Sequence, residues 1–241
     1  MSWFSKLFRK SAPTGAHSAA TEAAAPSDAV RATAPTTASV PVVGAGSDLP
    51  RIAVVTGSTR PNRVNRGVAE WVLAQARRRG DASYELLDIA DFKLPLLDEA
   101  YPAAYQNYQK DHTVAFAARI AEFDGYVFVT PEYNHSVAPA LANALSFVNA
   151  EFNNKAAGIV AYGSAYGARS VEHLRHVLSE LQVAHVQKTG MFSLFTDFEE
   201  FSTFRPTEQQ AASLAPVLDQ LVPWTRSFAA VRAGMLASAT A

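Results

Sequence analysis

The segment Arg51–Arg66 constrains the fold of this chain more than any other. Its apolar run Ile52–Val55 has the length and residue types of a parallel strand that is covered on both faces. A polar loop, Gly57–Arg63, follows, and apolar residues at helical spacing begin at Val64. The loop is therefore predicted to join the carboxyl end of a strand to the amino end of a helix. Free backbone N–H groups and the positive end of the helix dipole meet there and favour an anion.

The side chains of this loop indicate which anion it binds. Arg60 and Arg63 supply fixed positive charge, and Ser58 and Asn65 supply uncharged donors. The glycine spacing of dinucleotide-binding loops is missing, and so is the Gly-Lys-Ser/Thr sequence of nucleotide triphosphatase loops. Taken alone, such arginines are more often solvated loop cations. Their position between strand and helix, together with the two later motifs described below, favours instead a ligand role. Hydroxyl groups with arginines suit a terminal monophosphate.

Strands and helices alternate along the following residues. Four further strands are predicted at Tyr84–Ile89, Gly125–Thr130, Ala156–Tyr162 and Val183–Val186. Helical spacing recurs near residues 114–121, 139–148, 168–181 and 208–235. We expect the second of these strands to end at Pro131, and Pro216 and Pro223 to bend or interrupt the last helix. The alternation predicts an α/β fold with a three-layer, doubly wound parallel sheet of strand order 2-1-3-4-5, whose ligand crevice lies at the carboxyl ends of strands one and three.

Composition separates this domain from the first part of the chain. Residues 11–48 are rich in Ala, Pro, Ser, Thr and Gly and contain no aromatic residue, so they are predicted to form a disordered linker. Residues 49–236 are predicted to form the folded domain, and residues 237–241 a flexible tail. The net charge of −1 argues against a nucleic-acid partner, no apolar run has the length of a membrane span, and the absence of Cys excludes thiolate chemistry.

Residues 1–10 differ in pattern from this linker. On a helical projection one face carries apolar residues and another carries cations: Trp3, Phe4, Leu7 and Phe8 on the first, and Lys6, Arg9 and Lys10 on the second. Two interpretations stay open: a short amphipathic helix that contacts an anionic membrane surface or a partner groove, and a disordered start. The expected location is the cytoplasm, and the Ala-, Ser- and Thr-rich composition of the first forty or so residues leaves organellar targeting open.

Three motifs point to a family. Gly57–Arg63, Thr130–Ser136 and Tyr162–Arg169 resemble, in order and spacing, the NAD(P)H-dependent FMN reductase family of flavodoxin-like proteins. That family includes azo, quinone and chromate reductases, and the resemblance extends over roughly Pro50–Arg232. It implies a flavodoxin-like fold with FMN as cofactor, NADPH or NADH as co-substrate, and a homodimer or homotetramer.

The resemblance also assigns roles to individual residues. It implies that four residues hold the FMN phosphate: Ser58, Arg60, Arg63 and Asn65. It implies that four others line the isoalloxazine ring: Pro131, Glu132, Tyr133 and Asn134. Gly163 and Ser164 would close over the other side of the ring. No side chain receives a catalytic role, because the flavin carries the hydride chemistry and the protein supplies binding and orientation.

The expected function is FMN-dependent oxidation of NAD(P)H by ping-pong hydride transfer. The acceptor would be a small molecule such as free flavin, a quinone, an azo compound or a metal oxyanion, and Tyr105, Tyr108, His135 and Tyr166 would decide which. One alternative is a flavodoxin-type one-electron carrier, although flavodoxins are usually strongly acidic and this chain is not. Another is a tethered redox sensor or scaffold whose important part is the N-terminus.

The chain departs from the family pattern at two places. Ala142 and Ser146 stand where the family usually has Lys and Asp, which suggests that an ion pair important for the usual dimer contacts is missing. Ser164 stands where a second glycine is common. His173 and His176 are one helical turn apart, but surface polarity explains them better than a metal site, and no metal is expected.

Overall fold

The computed structural model describes residues 49–239 of the chain. The predicted amphipathic helix at residues 1–10 and the predicted linker at residues 11–48 lie outside the described residues, as do residues 240–241 of the predicted tail. Within residues 49–239, no helix combines the length and the apolar composition needed to span a bilayer.

Fifteen elements follow one another along the described residues. The strands are β1 (Arg51–Thr56), β2 (Ser83–Asp88), β3 (Gly125–Tyr133), β4 (Ser136–Val137), β5 (Lys155–Gly163), β6 (Val183–Ser193), β7 (Phe198–Glu199) and β8 (Thr203–Phe204). The α-helices are α1 (Asn65–Arg77), α2 (Asp111–Ala121), α3 (Pro139–Phe147), α4 (Ala168–Glu180) and α5 (Glu208–Ala239). Two short 3₁₀ helices, Ile89–Phe92 and Ala103–Tyr105, follow β2.

The main sheet is parallel and has the order β2-β1-β3-β5-β6. Counted among themselves, these five strands have the predicted order 2-1-3-4-5. Helices α2, α3 and α4 pack on one face, where Phe116, Leu141 and Leu174 are buried. Helices α1 and α5 pack on the other face, where Val72 and Leu221 are buried. Two buried layers around one sheet make this the predicted three-layer, doubly wound fold.

The prediction that the third strand ends at Pro131 is wrong, because β3 continues to Tyr133. The carbonyl of Val129 accepts from Gly57 and therefore faces β1. The backbone of Pro131, two residues on, faces the same side. Since β1 ends at Thr56, opposite Val129, the N–H that Pro131 lacks would have no strand to pair with.

Two other elements are longer than predicted. Strand β6 extends to Ser193 instead of Val186, because an irregularity opposite Ala157–Ile159 lets it resume pairing with β5. Helix α5 continues through Pro216 and Pro223 without interruption. Pro223 is exposed, and Pro216 lies off the stripe of α5 that is buried on the sheet, so neither missing hydrogen bond interrupts the packed face.

A buried lysine, Lys155, begins β5 at the amino ends of the strands, whereas the polar loop lies at their carboxyl ends. The Lys155 ammonium donates to the carbonyls of Ile120 (3.2 Å) and Ala121 (3.3 Å) at the end of α2, and to the Tyr126 hydroxyl (3.1 Å). Burial lowers the pKa of Lys155 from 10.5 to about 8. The folded state therefore releases this proton at a lower pH than the unfolded state does.

We predict a pH dependence of stability that disappears in Lys155→Met. Between pH 8 and 10.5 the unfolded state holds the Lys155 proton more often than the folded state, so this group makes the free energy of unfolding rise with pH. Between about pH 7.5 and 9.5 the free energy of unfolding of the wild type should rise by about 2 kcal/mol more than that of the variant. Urea unfolding of both proteins at the two pH values measures this difference. Equal gains in the two proteins would contradict it.

Candidate functional site

The polar loop after β1 begins against the end of β3. We call residues 57–64 the β1 loop. The Gly57 N–H donates to the Val129 carbonyl (2.8 Å) and lies 2.9 Å from Asn65 Oδ1, while Asn65 Nδ2 donates to the same carbonyl (3.0 Å). A Cβ at Gly57 would lie 2.7 Å from the Val129 oxygen, so this approach requires glycine. The fully buried Asn65 amide therefore fixes the start of the loop.

Ser58 and Arg60 lie beside Tyr133 of the neighbouring strand. Ser58 is 1% exposed, and its Oγ lies 3.1 Å from the Tyr133 hydroxyl. The exposed Arg60 guanidinium lies 5.9 Å from the centre of the Tyr133 ring and has no carboxylate partner within residues 49–239. Among the described residues the backbone N–H groups of Thr59 and Asn62 also have no acceptor. The β1 loop thus contains a cation and backbone donors that have no partner within the described residues.

Arg63 is held differently. Its guanidinium pairs with Asp88 at the end of β2, a carboxylate whose side chain is 2% exposed, and Arg66 Nη1 contacts the same oxygen at 3.0 Å. Arg63 Nε is buried and has no partner among the described residues. Burial alone would raise the pKa of Asp88, but bonds from Thr56 and the Ala90 N–H, together with the Arg63 charge, outweigh burial and lower it.

The carboxyl end of β3 and the residues after it make a tight turn. We call residues 131–136 the β3 turn. Asn134 (φ 49°) and His135 (φ 64°) both adopt left-handed backbone, and Tyr133 pairs with Ser136 on the short strand β4. Two consecutive left-handed residues are typical of a type I′ hairpin turn. The turn folds β3 back on itself, and Asn134 and His135 are exposed at its tip.

Glu132 connects the β3 turn to helix α4. Its carboxylate, whose side chain is 4% exposed, accepts from Arg169 Nε (2.6 Å) and from the Arg169 backbone N–H (3.1 Å). Arg169 Nη1 also lies 2.9 Å from His135 Nε2. Burial alone would raise the pKa of Glu132, but the hydrogen bonds and charge of Arg169 outweigh it and lower that pKa. The ionised pair fixes the turn against the first residues of α4.

The third predicted loop follows β5, and we call residues 163–167 the β5 loop. The Gly163 carbonyl accepts from the N–H groups of Tyr166 and Leu194, both at 3.1 Å. A Cβ at Gly163 would lie 3.1 Å from Glu132 Cβ, so the β5 loop passes directly against the β3 turn. Gly167 has φ +75°, and α4 begins at the next residue. Ser164 is exposed on this loop.

The structure brings the three predicted loops to one edge of the sheet. Ser58 contacts Tyr133, and Gly163 adjoins Glu132, so the β1 loop, the β3 turn and the β5 loop are neighbours in space. Sequence reasoning missed Asp88, whose only signal is an acidic residue that directly ends an apolar strand. Of the other singled-out residues, Tyr108 donates to Glu151 (2.9 Å) and so does not join the three loops.

His173 and His176 are both exposed on α4. His173 Nδ1 lies 2.9 Å from Ser136 Oγ, next to the β3 turn. Among residues 49–239, no three His, Asp or Glu side chains are grouped closely enough to hold a metal ion.

Comparisons with known proteins define first the fold class and then the family. The structure resembles the flavoenzyme NAD(P)H:acceptor oxidoreductase of Paracoccus denitrificans with a TM-score of 0.59 and 18% identity, over 75% of this chain and 99% of that one. This likeness identifies a flavodoxin-like fold. The family description "NADPH-dependent FMN reductase" matches residues 50–197. The chain therefore belongs to the NADPH-dependent FMN reductase family, whose members are flavin-dependent oxidoreductases.

Two curated relatives agree with this assignment. An NAD(P)H-dependent FMN reductase of Schizosaccharomyces pombe is 37% identical over 136 residues, which is 56% of this chain and 68% of the relative. A 2-hydroxy-1,4-benzoquinone reductase of Burkholderia is 30% identical over 149 residues, which is 59% of this chain and 77% of the relative. The predictions of family, of an FMN cofactor and of NAD(P)H dependence are thereby confirmed.

We predict that Arg169→Ala destabilises the fold much more than Arg205→Ala. Removing Arg169 leaves the buried Glu132 carboxylate without its donors, which should cost about 2 kcal/mol of unfolding free energy, on the scale of a buried acceptor left unsatisfied. Arg205 also forms an ion pair, with Glu199, but both of these side chains are more than half exposed. Removing Arg205 should therefore change the free energy of unfolding by less than about 0.5 kcal/mol. Urea unfolding measures both values. Equal losses would show that the Glu132 pair does not fix the turn.

Proposed function

We propose that the β1 loop binds the FMN phosphate through Ser58, Arg60 and its free backbone N–H groups. The observation that carries this proposal is the exposed Arg60 guanidinium, which has no carboxylate partner within the described residues and lies beside free donors at a helix amino end. A cation and several N–H groups without acceptors fit a phosphate dianion. The FMN that the family implies therefore suits the residues present.

Arg63 and Asn65, the other two predicted phosphate ligands, contribute mainly by shaping the loop. The Asn65 amide is engaged by Gly57 and Val129, and the Arg63 guanidinium is engaged by Asp88. Asp88 engages only Nη2 of Arg63, while Nε is buried and has no partner among the described residues. In this proposal Arg60 makes most of the direct charge contact, and Arg63 contributes through its positive charge at the base of the loop.

The isoalloxazine ring would bind between the β3 turn and the β5 loop. Pro131, Tyr133 and Asn134 offer backbone and side-chain groups at the end of β3, while Gly163 and Ser164 lie on the other loop. Glu132 would act through its backbone, because its carboxylate is bonded to Arg169. When bound there, FMN supplies the hydride chemistry, and the protein supplies orientation and the hydrogen bonds that tune the ring.

We propose a ping-pong oxidoreductase whose acceptor is a quinone or a free flavin. The names of the curated relatives support this acceptor class, since they include quinone reductases and FMN reductases. With one ring face covered by the protein, the nicotinamide and the acceptor would bind in turn against the other face. Tyr166, which is about half exposed on the β5 loop, offers an aromatic contact for such an acceptor.

Steady-state kinetics test the reaction. NADPH is the donor and menadione the acceptor. Double-reciprocal plots of initial rate against NADPH concentration, at several menadione concentrations, should be parallel lines, because donor and acceptor would exclude each other from the same ring face. Intersecting lines would mean that both bind together. A flavodoxin-type carrier would instead show no NADPH turnover with a small acceptor.

The phosphate contact is tested with Arg60→Ala. We expect the flavin-free variant to bind FMN about 10- to 100-fold more weakly than wild type, on the scale of a charge-assisted hydrogen bond, and riboflavin nearly unchanged. Titration of flavin fluorescence gives both dissociation constants. Arg78→Ala is the matched control, since Arg78 is exposed at the far end of α1 and should leave FMN binding unchanged. An Arg60→Ala variant with wild-type FMN affinity would refute the proposed phosphate site.

Three predictions from the sequence stay predictions. The first is the homodimer or homotetramer, which sedimentation velocity would check. The second is the contact of residues 1–10 with a membrane or partner, which vesicle co-sedimentation would check. The third is the cytoplasmic location, which imaging of the tagged chain would check.

A further inference from the structure

Asp88 is the most heavily hydrogen-bonded carboxylate beside the β1 loop. It accepts from Thr56 Oγ1 (2.7 Å), from the Ala90 N–H (3.0 Å) and from Arg66 Nη1 (3.0 Å), and it also pairs with Arg63. Only 2% of its side chain is exposed. Neither the family assignment nor the phosphate ligands named above give it a role.

A buried anion at this position opposes the binding of a phosphate through charge alone. The carboxylate reduces the net positive charge that Arg63 and Arg66 would otherwise offer. Because Asp88 is buried, its repulsion of a bound phosphate is screened only weakly by solvent and salt. A loop selected only for positive charge would lack Asp88. The contacts of Asp88 must therefore provide something that net charge does not.

Its contacts provide geometry. Arg63 is only 17% exposed, and a mostly buried cation requires an anionic partner to stay in place. Asp88 engages Nη2 of Arg63 and leaves Nε buried without a partner among the described residues. Because Thr56 and the Ala90 N–H fix the carboxylate in turn, the Arg63 guanidinium is held in one orientation before any ligand arrives.

We propose that Asp88 is a positioning residue for the phosphate site, which holds Arg63 and Arg66 so that the β1 loop is preorganised for the FMN phosphate. The proposal rests on the proposed function of the β1 loop. Preorganisation improves affinity by removing the cost of ordering two long side chains on binding, and it selects ligands that carry a terminal phosphate. For this to hold, the affinity gained by ordering the arginines must exceed the affinity lost through the negative charge of Asp88.

The sign of one substitution separates the two effects. Asp88→Asn keeps the shape and can still accept from Thr56 and Ala90, but it removes the charge that holds Arg63. If Asp88 positions the arginines, the flavin-free variant should bind FMN at least about tenfold more weakly than wild type, with riboflavin affinity unchanged. If only charge matters, FMN should bind more tightly. Equal weakening of FMN and riboflavin would indicate a general structural role and would overturn the proposal, as would unchanged or tighter FMN binding.

Asp81→Asn is the matched control. Asp81 also pairs with an arginine, Arg79, but it lies just before the amino end of β2, whereas Asp88 lies at the carboxyl end, so FMN affinity should stay at the wild-type value. A comparable loss of FMN affinity in this control would overturn the assignment to Asp88.

A second variant decides the matter if Asp88→Asn fails to fold. Arg63→Lys keeps the charge but loses the planar guanidinium that Asp88 orients. Positioning predicts a loss of about tenfold or more in FMN affinity with riboflavin unchanged, and an unchanged FMN affinity would overturn the proposal. Failure of the proposed function looks different: FMN would then fail to bind the wild type, or Arg60→Ala would have no effect on its affinity.

Discussion

The carbonyl oxygen of Val129 is the contact on which the candidate site depends. It accepts from both the Gly57 N–H and Asn65 Nδ2, so it fixes the start of the β1 loop and the first residue of α1 at once. Two donors on one buried acceptor satisfy groups that would otherwise be costly to bury. Since β1 has ended at this level while β3 continues, the loop turns across the end of β1 and comes to lie beside Tyr133.

Two buried carboxylates then fix the loops by the same device. Asp88 ends β2 and pairs with Arg63 just before α1 and with Arg66 in its first turn. Glu132 lies near the end of β3 and pairs with Arg169 at the start of α4. In each case an acidic side chain from a strand end binds a cation at the amino end of a helix. Such pairs add little net stability, but breaking one is expensive, so they act chiefly to specify a single arrangement.

The strand order and the position of the loops could be predicted from the sequence because they depend on local patterns. Apolar runs and helical spacing locate the elements, and parallel topology brings the loops after strands one, three and four to one edge. Tertiary contacts decide the rest. The passage of β3 through Pro131 depends on where β1 ends, and the extension of β6 depends on an irregular pairing with β5. Neither is visible in a window of sequence.

The predicted site residues show the same division. Arg60 and Arg63 are alike in sequence, two cations three residues apart in one loop, and both were predicted to hold phosphate. The structure separates them, because Arg63 contacts Asp88, which is 25 residues away in the chain, while Arg60, among residues 49–239, lies only beside the ring of Tyr133. Only the fold could reveal that partner.

The described residues after the family match, 198–239, complete the core, and the residues of the candidate site all lie before them. The hairpin β7–β8 packs Phe198 and Phe204 next to Phe192, and α5 covers the face of the sheet that α1 leaves open. Helix α5 approaches so closely that a Cβ at Gly158 would lie 2.7 Å from Val217 Cγ1. Because every proposed ligand of FMN lies between Ser58 and Ser164, substitutions in α5 should act on flavin binding only through the stability of the sheet that supports the loops.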